Sequence, residues 1–455
     1  ADVFEYGGGT VSLSNYETGT DKIDLGAASL QSFTFGEGSA VSLTTDKGVI
    51  SLDGAQGKEV LLRDATGKSN SFSKMVFAAS GVLYDKEKNP TSATLSSGVA
   101  SNPTLDSAIK KITIGEGVAS ISVLAGDKNN TIIDASSAGA GISLSGGTKN
   151  DKFTGGTSAD TFIYTAGKDV ITNYGTGDSI SAEGFNLGDA KITQSKKSVT
   201  LKFSSKNSLA IKSDDSIGAI NINGTDYSFG KNAIITGTAG SQTASLTSEF
   251  SGTYKASSGI TTIDGSAISK KNFTMQGTTA GETLIGGSSD KKKVTFKGGG
   301  GADSLVGGDS KDTFFYARND TGNATVSNFS YDNDNVKIKR TLTSISKDDD
   351  GLKFEMGDGN SLTLTTDNKN TNIGSSNVLI KANNTLYWFE GSGDDYGLYT
   401  AKDKESKAAI KSVLRSKDSY AIVDLNYSTN LVKGKVADVT ETVFTSTMAD
   451  NYKIK

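Results

Sequence analysis

Short runs of alternating apolar and polar residues recur along the chain, separated by turns rich in Gly, Asp, Asn and Ser. A period of two predicts β-strands that bury one side. Paired runs that predict β-hairpins are Leu201–Phe203 with Ser208–Ile211, Leu352–Phe354 with Ser361–Leu364 and, as a weaker match, Phe33–Phe35 with Val41–Leu43. Helical spacing of apolar residues is clearest at 401–415, which predicts one short helix near the C-terminus.

A long repeat organises these runs. The same pattern, an Asp followed by alternating apolar residues and a Tyr, stands at Asp2–Tyr6, Asp160–Tyr164 and Asp312–Tyr316. Similar downstream segments follow each copy, including Ile220–Ile222 and Val378–Ile380. We therefore expect three related units along the chain, at 1–124, 125–276 and 277–455.

A nine-residue repeat lies inside the long one. Gly146–Thr154 is followed directly by Gly155–Ile163, and Gly298–Val306 by Gly307–Phe315. Each of the four carries Gly-Gly at its start, Asp at its sixth position and a large apolar residue at its eighth, with looser versions at 125–133 and 277–285. The glycines permit a tight turn, and the apolar residue points into a core that only stacked turns can bury. This predicts four-turn parallel β-rolls at 125–163 and 277–315.

The expected fold class is therefore all-β: tandem parallel β-roll units alternating with antiparallel β-hairpin or β-sandwich-like sections. The first unit contains only the end of a roll, because Ala1–Phe4 aligns with Ala159–Phe162. We expect either an upstream copy or a neighbouring subunit to supply the missing turns.

Composition removes several kinds of chemistry. The 455 residues include no Cys and no His, which argues against disulfides, thiolate or imidazole metal sites and Ser–His–Asp catalysis. The net charge is −4, with acidic and basic residues interspersed, which is not the pattern of a nucleic-acid-binding protein. No run of apolar residues is long enough to predict a membrane-spanning helix.

The tandem Gly-Gly-x-x-x-Asp turns resemble the repeat-in-toxin (RTX) family of secreted calcium-binding β-roll proteins. That resemblance implies an extracellular or bacterial cell-surface location and calcium-assisted folding. The sections between the rolls resemble long repetitive bacterial surface proteins, including surface-layer proteins. The family contains toxins, proteases, lipases and adhesins, so the resemblance does not by itself assign a function.

Calcium in such rolls bridges adjacent turns on one edge. The candidate ligands here are Asn130 with Asp151, Glu282 with Asp303, and Asp160 and Asp312 opposite Ile142 and Val294, which replace the expected acids. Nearby lysines such as Lys149 and Lys311 would repel a cation. The alternative is that these acids only bond the backbone of their own turns. The residues leave both interpretations open.

We expect a non-catalytic protein that assembles with copies of itself, head to tail, into a surface layer, fibre or filament. No catalytic residues and no cofactor other than calcium are predicted. Two alternatives stay open: the accessory RTX region of a secreted enzyme, and an adhesin module that binds a carbohydrate or a host surface. A cell-surface glycan is a candidate partner, whereas nucleic acid and membrane insertion are not expected.

Overall fold

The computed structural model describes residues 1–63, 71–79, 81–330, 333–348, 351–365, 377–382, 385–392, 395–401, 404, 420–426 and 436–439. These form two compact units, Ala1–Gly230 and Lys231–Lys455. The described elements are almost all β-strands, which confirms the predicted fold class. The helix predicted at 401–415 lies outside the described residues, apart from Ala401 and Lys404.

The described residues of the first unit form 23 strands and two short 3₁₀ helices, Glu37–Ser39 and Leu187–Asp189. Its strands are β1 (Val3–Glu5), β2 (Gly9–Leu13), β3 (Lys22–Asp24), β4 (Leu30–Phe35), β5 (Val41–Thr45), β6 (Gly48–Leu52), β7 (Glu59–Arg63), β8 (Ser73–Ala79), β9 (Val82–Tyr84), β10 (Ser92–Leu95), β11 (Lys111–Ile114), β12 (Ser122–Leu124), β13 (Ile132–Asp134), β14 (Ser143–Ser145), β15 (Lys152–Thr154), β16 (Thr161–Ile163), β17 (Lys168–Thr172), β18 (Ser179–Ser181), β19 (Lys191–Ser195), β20 (Ser198–Lys202), β21 (Ser208–Lys212), β22 (Ile220–Ile222) and β23 (Thr225–Gly230).

The second unit continues with strands, and its described residue Lys404 is helical. Its strands are β24 (Ala233–Thr238), β25 (Ser241–Leu246), β26 (Gly252–Lys255), β27 (Ile260–Asp264), β28 (Phe273–Gln276), β29 (Thr283–Ile285), β30 (Lys293–Lys297), β31 (Ser304–Val306), β32 (Lys311–Tyr316), β33 (Asn323–Ser327), β34 (Asn335–Ile338), β35 (Leu342–Asp348), β36 (Gly351–Met356), β37 (Asn360–Thr365), β38 (Asn377–Ala382), β39 (Thr385–Ser392), β40 (Asp395–Ala401), β41 (Tyr420–Asn426) and β42 (Val436–Val439).

Each unit is a parallel β-solenoid in which successive strands alternate between two facing sheets. In the first unit β11, β13, β15 and β17 form one parallel stack, and β12, β14, β16 and β18 form the other. In the second unit β27, β29, β31 and β33 alternate with β28, β30, β32 and β34. The solenoid therefore extends beyond the predicted four-turn rolls on both sides.

One apolar residue per strand fills the space between the sheets. Ile133, Phe153 and Ile171 are in register in one sheet of the first unit, and Leu144, Phe162 and Ile180 in the other. All six are at most 1% exposed. The loose turn at 125–133 thus buries Ile133, whereas the predicted inward residue, Ile132, is 46% exposed. In the second unit the rings of Phe296 and Phe314 stack with centroids 4.7 Å apart.

A three-stranded antiparallel insertion recurs at one place in the repeat. The insertions are β4–β6, β19–β21 and β35–β37, and the last strand of each returns to the solenoid by parallel pairing with β2, β17 and β33, respectively. This places Phe33–Phe35 and Val41–Leu43 on the first two strands of their insertion. The predicted match to Leu201–Phe203 and Ser208–Ile211 was therefore wrong by one strand, because those residues belong to the second and third strands.

After each insertion a further strand continues the solenoid, and in the last copy this strand is not the predicted one. Ile220–Ile222 pairs in parallel with β18, as its repeat position predicts. In the last copy β41 pairs with β34, whereas the predicted equivalent Val378–Ile380 lies on β38, whose partners are β39 and β41. The chain thus inserts β38–β40 before it rejoins the stack.

Buried tyrosines fix the turn that precedes each insertion. Tyr6, Tyr164 and Tyr316 donate hydrogen bonds to the carbonyl oxygens of Gly9, Gly167 and Gly322 at 2.6, 2.9 and 3.0 Å. The three glycines share a positive φ of 83°, 92° and 88°. A side chain at these positions would strain the backbone. The recurrence of Tyr with the long repeat thus reflects one hydrogen-bonded turn built three times.

Candidate metal site: the stacked acids of the roll

The predicted calcium ligands stand where each turn enters its strand, two residues before the buried apolar position. Asp151, Asp160, Glu282, Asp303 and Asp312 are all buried, with at most 4% of their surface exposed. Thr131 occupies the equivalent position in the loose turn at 125–133. Asn130 is instead exposed, and its side-chain oxygen accepts a hydrogen bond from the amide of Asn150 at 3.2 Å. Thr131, and not Asn130, therefore lies beside Asp151 in the stack, and the amide of Thr131 donates to Asp151.

A carboxylate that accepts hydrogen bonds through both of its oxygens links its own turn to the preceding turn of the same sheet. Asp160 accepts a hydrogen bond from the amide of Ile142 through Oδ1 at 2.9 Å and from the amide of Gly156 through Oδ2 at 2.7 Å. Asp178 repeats the arrangement with the amides of Asp160 and Gly175, both at 2.8 Å. The acids thus form a ladder along the stack, which we call the aspartate ladder. It satisfies backbone amides that the tight turns would otherwise leave buried and unpaired.

The same ladder recurs in the other copies of the repeat. In the second unit the amide of Glu282 donates to Asp303 at 3.0 Å, and the amide of Asp312 donates to Asp334 at 2.8 Å. Near the N-terminus Asp21 accepts from the amide of Asp2 at 2.8 Å. Through its second oxygen Asp312 accepts from the amide of Gly308 at 2.8 Å. The ladder is therefore a property of the repeat.

Sequence reasoning missed four ladder members: Asp21, Asp169, Asp178 and Asp334. Their turns lack the Gly-Gly pair that drew attention to the others. The signal that identifies them is an Asp two residues before an apolar residue that aligns with a strand, as with Asp169 and Ile171.

Asp151 and Asp169 depart from this pattern. Their Oδ1 atoms accept from the amides of Thr131 and Asp151 at 2.6 and 2.8 Å. Their Oδ2 atoms are buried and have no hydrogen-bond partner within the described structure. Burial raises the pKa of Asp151 to about 6, with Asp127 adding to the shift. Burial also raises the pKa of Asp169 to about 7, and the neighbouring Asp151 adds to it.

Asp303 has a similar environment in the second unit. Its pKa is raised to about 7, first by burial and then by the adjacent Glu282 carboxylate. Glu282 itself accepts a hydrogen bond from the amide of Thr278 at 3.1 Å. Both units therefore hold a pair of acids, one solenoid turn apart, in which burial disfavours the charge of Asp151 and Asp169 in the first unit and of Asp303 in the second.

The acids fit a calcium ion only in part. Calcium takes 6–8 oxygen ligands, usually including several carboxylate oxygens. Among the described residues, no group of three or more Asp, Glu, His or Cys side chains is placed to share an ion. The oxygens of Asp160 are already occupied by amide donors. The Oδ2 atoms of Asp151 and Asp169 remain, and they are the best carboxylate ligands that this edge of the roll offers.

The fold and the ladder define this chain as a parallel β-solenoid of the β-roll kind. No protein-family model and no curated protein matches the chain. Among solved structures it is similar to the extracellular lipase LipA from Serratia marcescens, at 16% sequence identity and a TM-score of 0.17. The match covers 58% of this chain and 38% of the lipase chain, so it spans well under half of the lipase. Such a distant likeness carries no argument about activity. In the part of the chain that the structure describes, no helix has the length and apolar character to cross a membrane.

Proposed function

We propose that this protein is a non-catalytic structural protein of the RTX type, secreted to the bacterial cell surface, where copies assemble into a layer, fibre or filament. The observation that carries the proposal is the continuity of the repeat. The inward residues, the tyrosine-bonded turns and the aspartate ladder all serve to place one turn on the next. In a solenoid, stability comes from such contacts between neighbouring turns, and the same contacts join further repeats.

We propose the edge of the first strand as the surface for that assembly. β1 pairs with β3 on one side only. Asp2 occupies the ladder position at which Asp160, in the next copy of the repeat, accepts two amide hydrogen bonds. An unpaired strand edge accepts another strand readily. We propose that a further turn, from another copy, docks here head to tail.

Calcium would assist this assembly by compensating the buried acids. We propose Asp151 and Asp169 as its carboxylate ligands in the first unit, and Glu282 with Asp303 in the second. A bound ion would remove the cost of keeping two carboxylates charged in a buried position. It would also stabilise the folded state in proportion to the logarithm of the calcium concentration.

Electron microscopy and circular dichroism of the purified chain, in calcium and in EDTA, test the proposal. We expect ordered sheets or filaments in calcium that dissolve in EDTA. Assemblies that persist in EDTA would support the structural role and limit the acids to bonding the backbone. A monomer in both conditions would contradict the proposal.

A charge variant tests the docking edge itself. Asp2→Lys leaves the interior of the solenoid unchanged, because Asp2 is exposed. We expect this variant to fold, by circular dichroism, and to lose assembly. Asp53→Lys, at another exposed residue of the first unit, is the matched control and should assemble normally. Equal assembly of both variants would exclude the β1 edge as the docking surface.

A further inference from the structure

One outer sheet face of the second unit carries regular rows of cations and hydroxyls. It is formed by β26, β28, β30, β32 and β34, which pair in parallel and in register. Its inward residues, including Met275, Phe296 and Phe314, are buried. The residues between them therefore point outward. We call this outward surface the lysine face.

The lysine face has three rows of aligned side chains. The first row is Lys255, Gln276, Lys297, Phe315 and Lys337. The middle row is Thr253, Thr274, Thr295, Thr313 and Asn335. The third row contains Lys293 and Lys311 side by side. Because neighbouring strands lie about 4.8 Å apart, the hydroxyls of the middle row repeat at that spacing and the lysines of the first row at about twice that spacing.

No acidic residue stands in these three rows on the five strands from β26 to β34, and on the next strand of the sheet, β41, Asp424 stands one residue before Leu425, the partner of Val336. The other sheet of the same unit has a comparable hydroxyl row, Thr243, Thr262, Thr283, Ser304 and Thr325, but no lysine beside it on those strands. The parallel row there contains Asp264 instead of a cation. Within this unit the positive charge is thus a feature of one sheet face and not of the other. Lys293 and Lys311 are aligned on adjacent strands, where like charges repel one another.

An aromatic ring completes the lysine face. Phe315 points outward between two cations, with the Lys297 and Lys339 ammonium groups 5.7 and 5.6 Å from its centroid. Other acidic residues lie at the margins of the lysine face. Glu249 forms an ion pair with Lys271 at 2.8 Å. Asp290 and Asp309 line a cavity of about 410 Å³ at the adjacent turns.

We propose that the lysine face binds an extended acidic polysaccharide. Its carboxylates would contact the lysine rows, since the opposite charge relieves the repulsion between aligned lysines. Threonine hydroxyls both donate and accept hydrogen bonds, and so match the hydroxyl groups of sugars. The Phe315 ring offers an apolar surface for a sugar ring. Single-stranded nucleic acid would instead call for a groove with several stacking aromatics, whereas this face is a flat sheet with one ring.

This binding is independent of the proposed assembly, because it uses a sheet face and the assembly uses a strand edge. The test is isothermal titration calorimetry of the full chain with polygalacturonate, and with neutral dextran as the comparison. We expect saturable binding of polygalacturonate that weakens as salt is raised from about 50 to about 200 mM, and none of dextran. Absence of polygalacturonate binding at low salt would overturn the proposal.

Variants locate the binding on this face. The triple variant Lys255→Gln, Lys293→Gln and Lys297→Gln should bind about tenfold more weakly, since each exposed contact contributes a fraction of the free energy of binding. The matched control replaces three exposed lysines of the first unit, Lys191→Gln, Lys202→Gln and Lys212→Gln, and should bind within about twofold of the parent. Equal losses in both triples would show non-specific attraction and refute the assignment.

The hydroxyl row distinguishes a polysaccharide from other polyanions. Thr274→Val with Thr295→Val keeps side-chain shape and charge but removes two hydroxyls. We expect weaker binding of polygalacturonate and unchanged binding of a DNA oligonucleotide used as a second polyanion. DNA that binds more tightly than polygalacturonate, together with no effect of the Thr variants, would overturn the polysaccharide proposal in favour of general polyanion binding.

Discussion

The aspartates of the ladder differ in how many peptide amides they join. Both carboxylate oxygens of Asp160 and Asp178 accept from amides of different turns, whereas Asp151 and Asp169 each bury an oxygen without a donor. An unsatisfied buried acceptor costs about 1–3 kcal/mol. Asp160 and Asp178 at one edge of the roll therefore stabilise the fold, whereas Asp151 and Asp169 at the other edge reduce its stability.

Asp169→Asn should stabilise the protein at pH 7.5 in EDTA. The raised pKa means that the native state holds more protons than the unfolded chain between the ordinary value of 3.8 and about 7. The free energy of unfolding contributed by this group therefore falls as the pH rises through that range. Asparagine removes the buried charge, so the variant should lose much of this pH dependence. Denaturant unfolding at pH 5 and 7.5 measures both effects.

In calcium, Asp169→Asn should destabilise the protein and no longer stabilise it. Because Asp169 is a proposed ligand, calcium should stabilise the parent protein and have less effect on the variant. A parent protein that is more stable at pH 7.5 than at pH 5 in EDTA would contradict the assigned charge state of the pair.

Asp160→Asn is predicted to destabilise the protein by about 1–2 kcal/mol. Both carboxylate oxygens accept amide hydrogens, from Ile142 and Gly156, so the amide group of asparagine must face one donor with another. Thermal unfolding of the two Asp→Asn variants side by side checks the contrast. Equal destabilisation by both would show that the unpaired oxygens of Asp151 and Asp169 are satisfied in solution.

The tyrosine hydroxyls give a further comparison. Tyr174 donates to the carbonyl of Asp178 at 2.8 Å and accepts from the amide of Asn221 at 3.0 Å. Tyr174→Phe should therefore cost about 2 kcal/mol, because two buried backbone groups lose their partner. Phe329 stands at the equivalent position of the last copy. Phe329→Ile would keep an apolar residue there and should lose packing but no hydrogen bond. Denaturant melts, with retention of the circular dichroism spectrum as a control, measure both.

At this scale the sequence predicts the ladder positions only where glycines mark the turn. The adjacent apolar residues Ile132 and Ile133 satisfy the local pattern equally, and only pairing with Phe153 decides which of them is buried. Because Ile133 and not Ile132 is buried, Thr131 and not Asn130 stands at the position that an acid occupies in the other turns. The unpaired oxygens were not predictable, because they depend on where amides of other turns lie.

The turns between strands are the elements that constrain the stack most tightly. Gly167 is the last residue of the turn before β17 and has a φ of 92°, and a Cβ there would overlap the carbonyl oxygen of Lys149 in the preceding turn. Gly184 has a similar φ of 82° but open space around it.

Gly167→Ala should therefore destabilise the protein by roughly 2 kcal/mol more than Gly184→Ala. Both substitutions carry the cost of a positive φ, roughly 1 kcal/mol, but only the first adds a steric overlap. The difference between their midpoints of denaturant unfolding isolates the overlap. Equal midpoints would mean that the turns separate easily from one another.

Strand pairing follows from sequence where the alternation is regular and local. The hairpins of the insertions were predictable because their strands are consecutive. The turns around Ile112 and Val123 were not assigned to the roll, because they lack Gly-Gly pairs, yet Ile112 and Val123 align with Ile133 and Leu144. Long-range parallel pairing selects them, since their inward residues complete the core.

At the scale of the whole molecule, the long repeat was visible in the sequence, and its three copies share one sequence of turns, insertion and return to the stack. In the last copy, alignment with the earlier copies does not identify the strand that returns to the stack. The reason is that β38–β40 precede this strand, β41. Only the pairing of Val336 with Leu425 identifies that strand.

The insertions give the chain a particular response to force. Pulled from its two ends, a solenoid should unzip one coil at a time, because its strands are loaded in series. Ile171 follows Phe153 in the same sheet after 18 residues, whereas Ile211 follows Ile171 after 40. At about 3.4 Å per extended residue, the released length should be roughly 6 nm for a coil such as Phe153 to Ile171 and roughly 14 nm for a coil that contains an insertion. Single-molecule stretching should show these two step sizes, and a surface built from such chains would yield gradually under load.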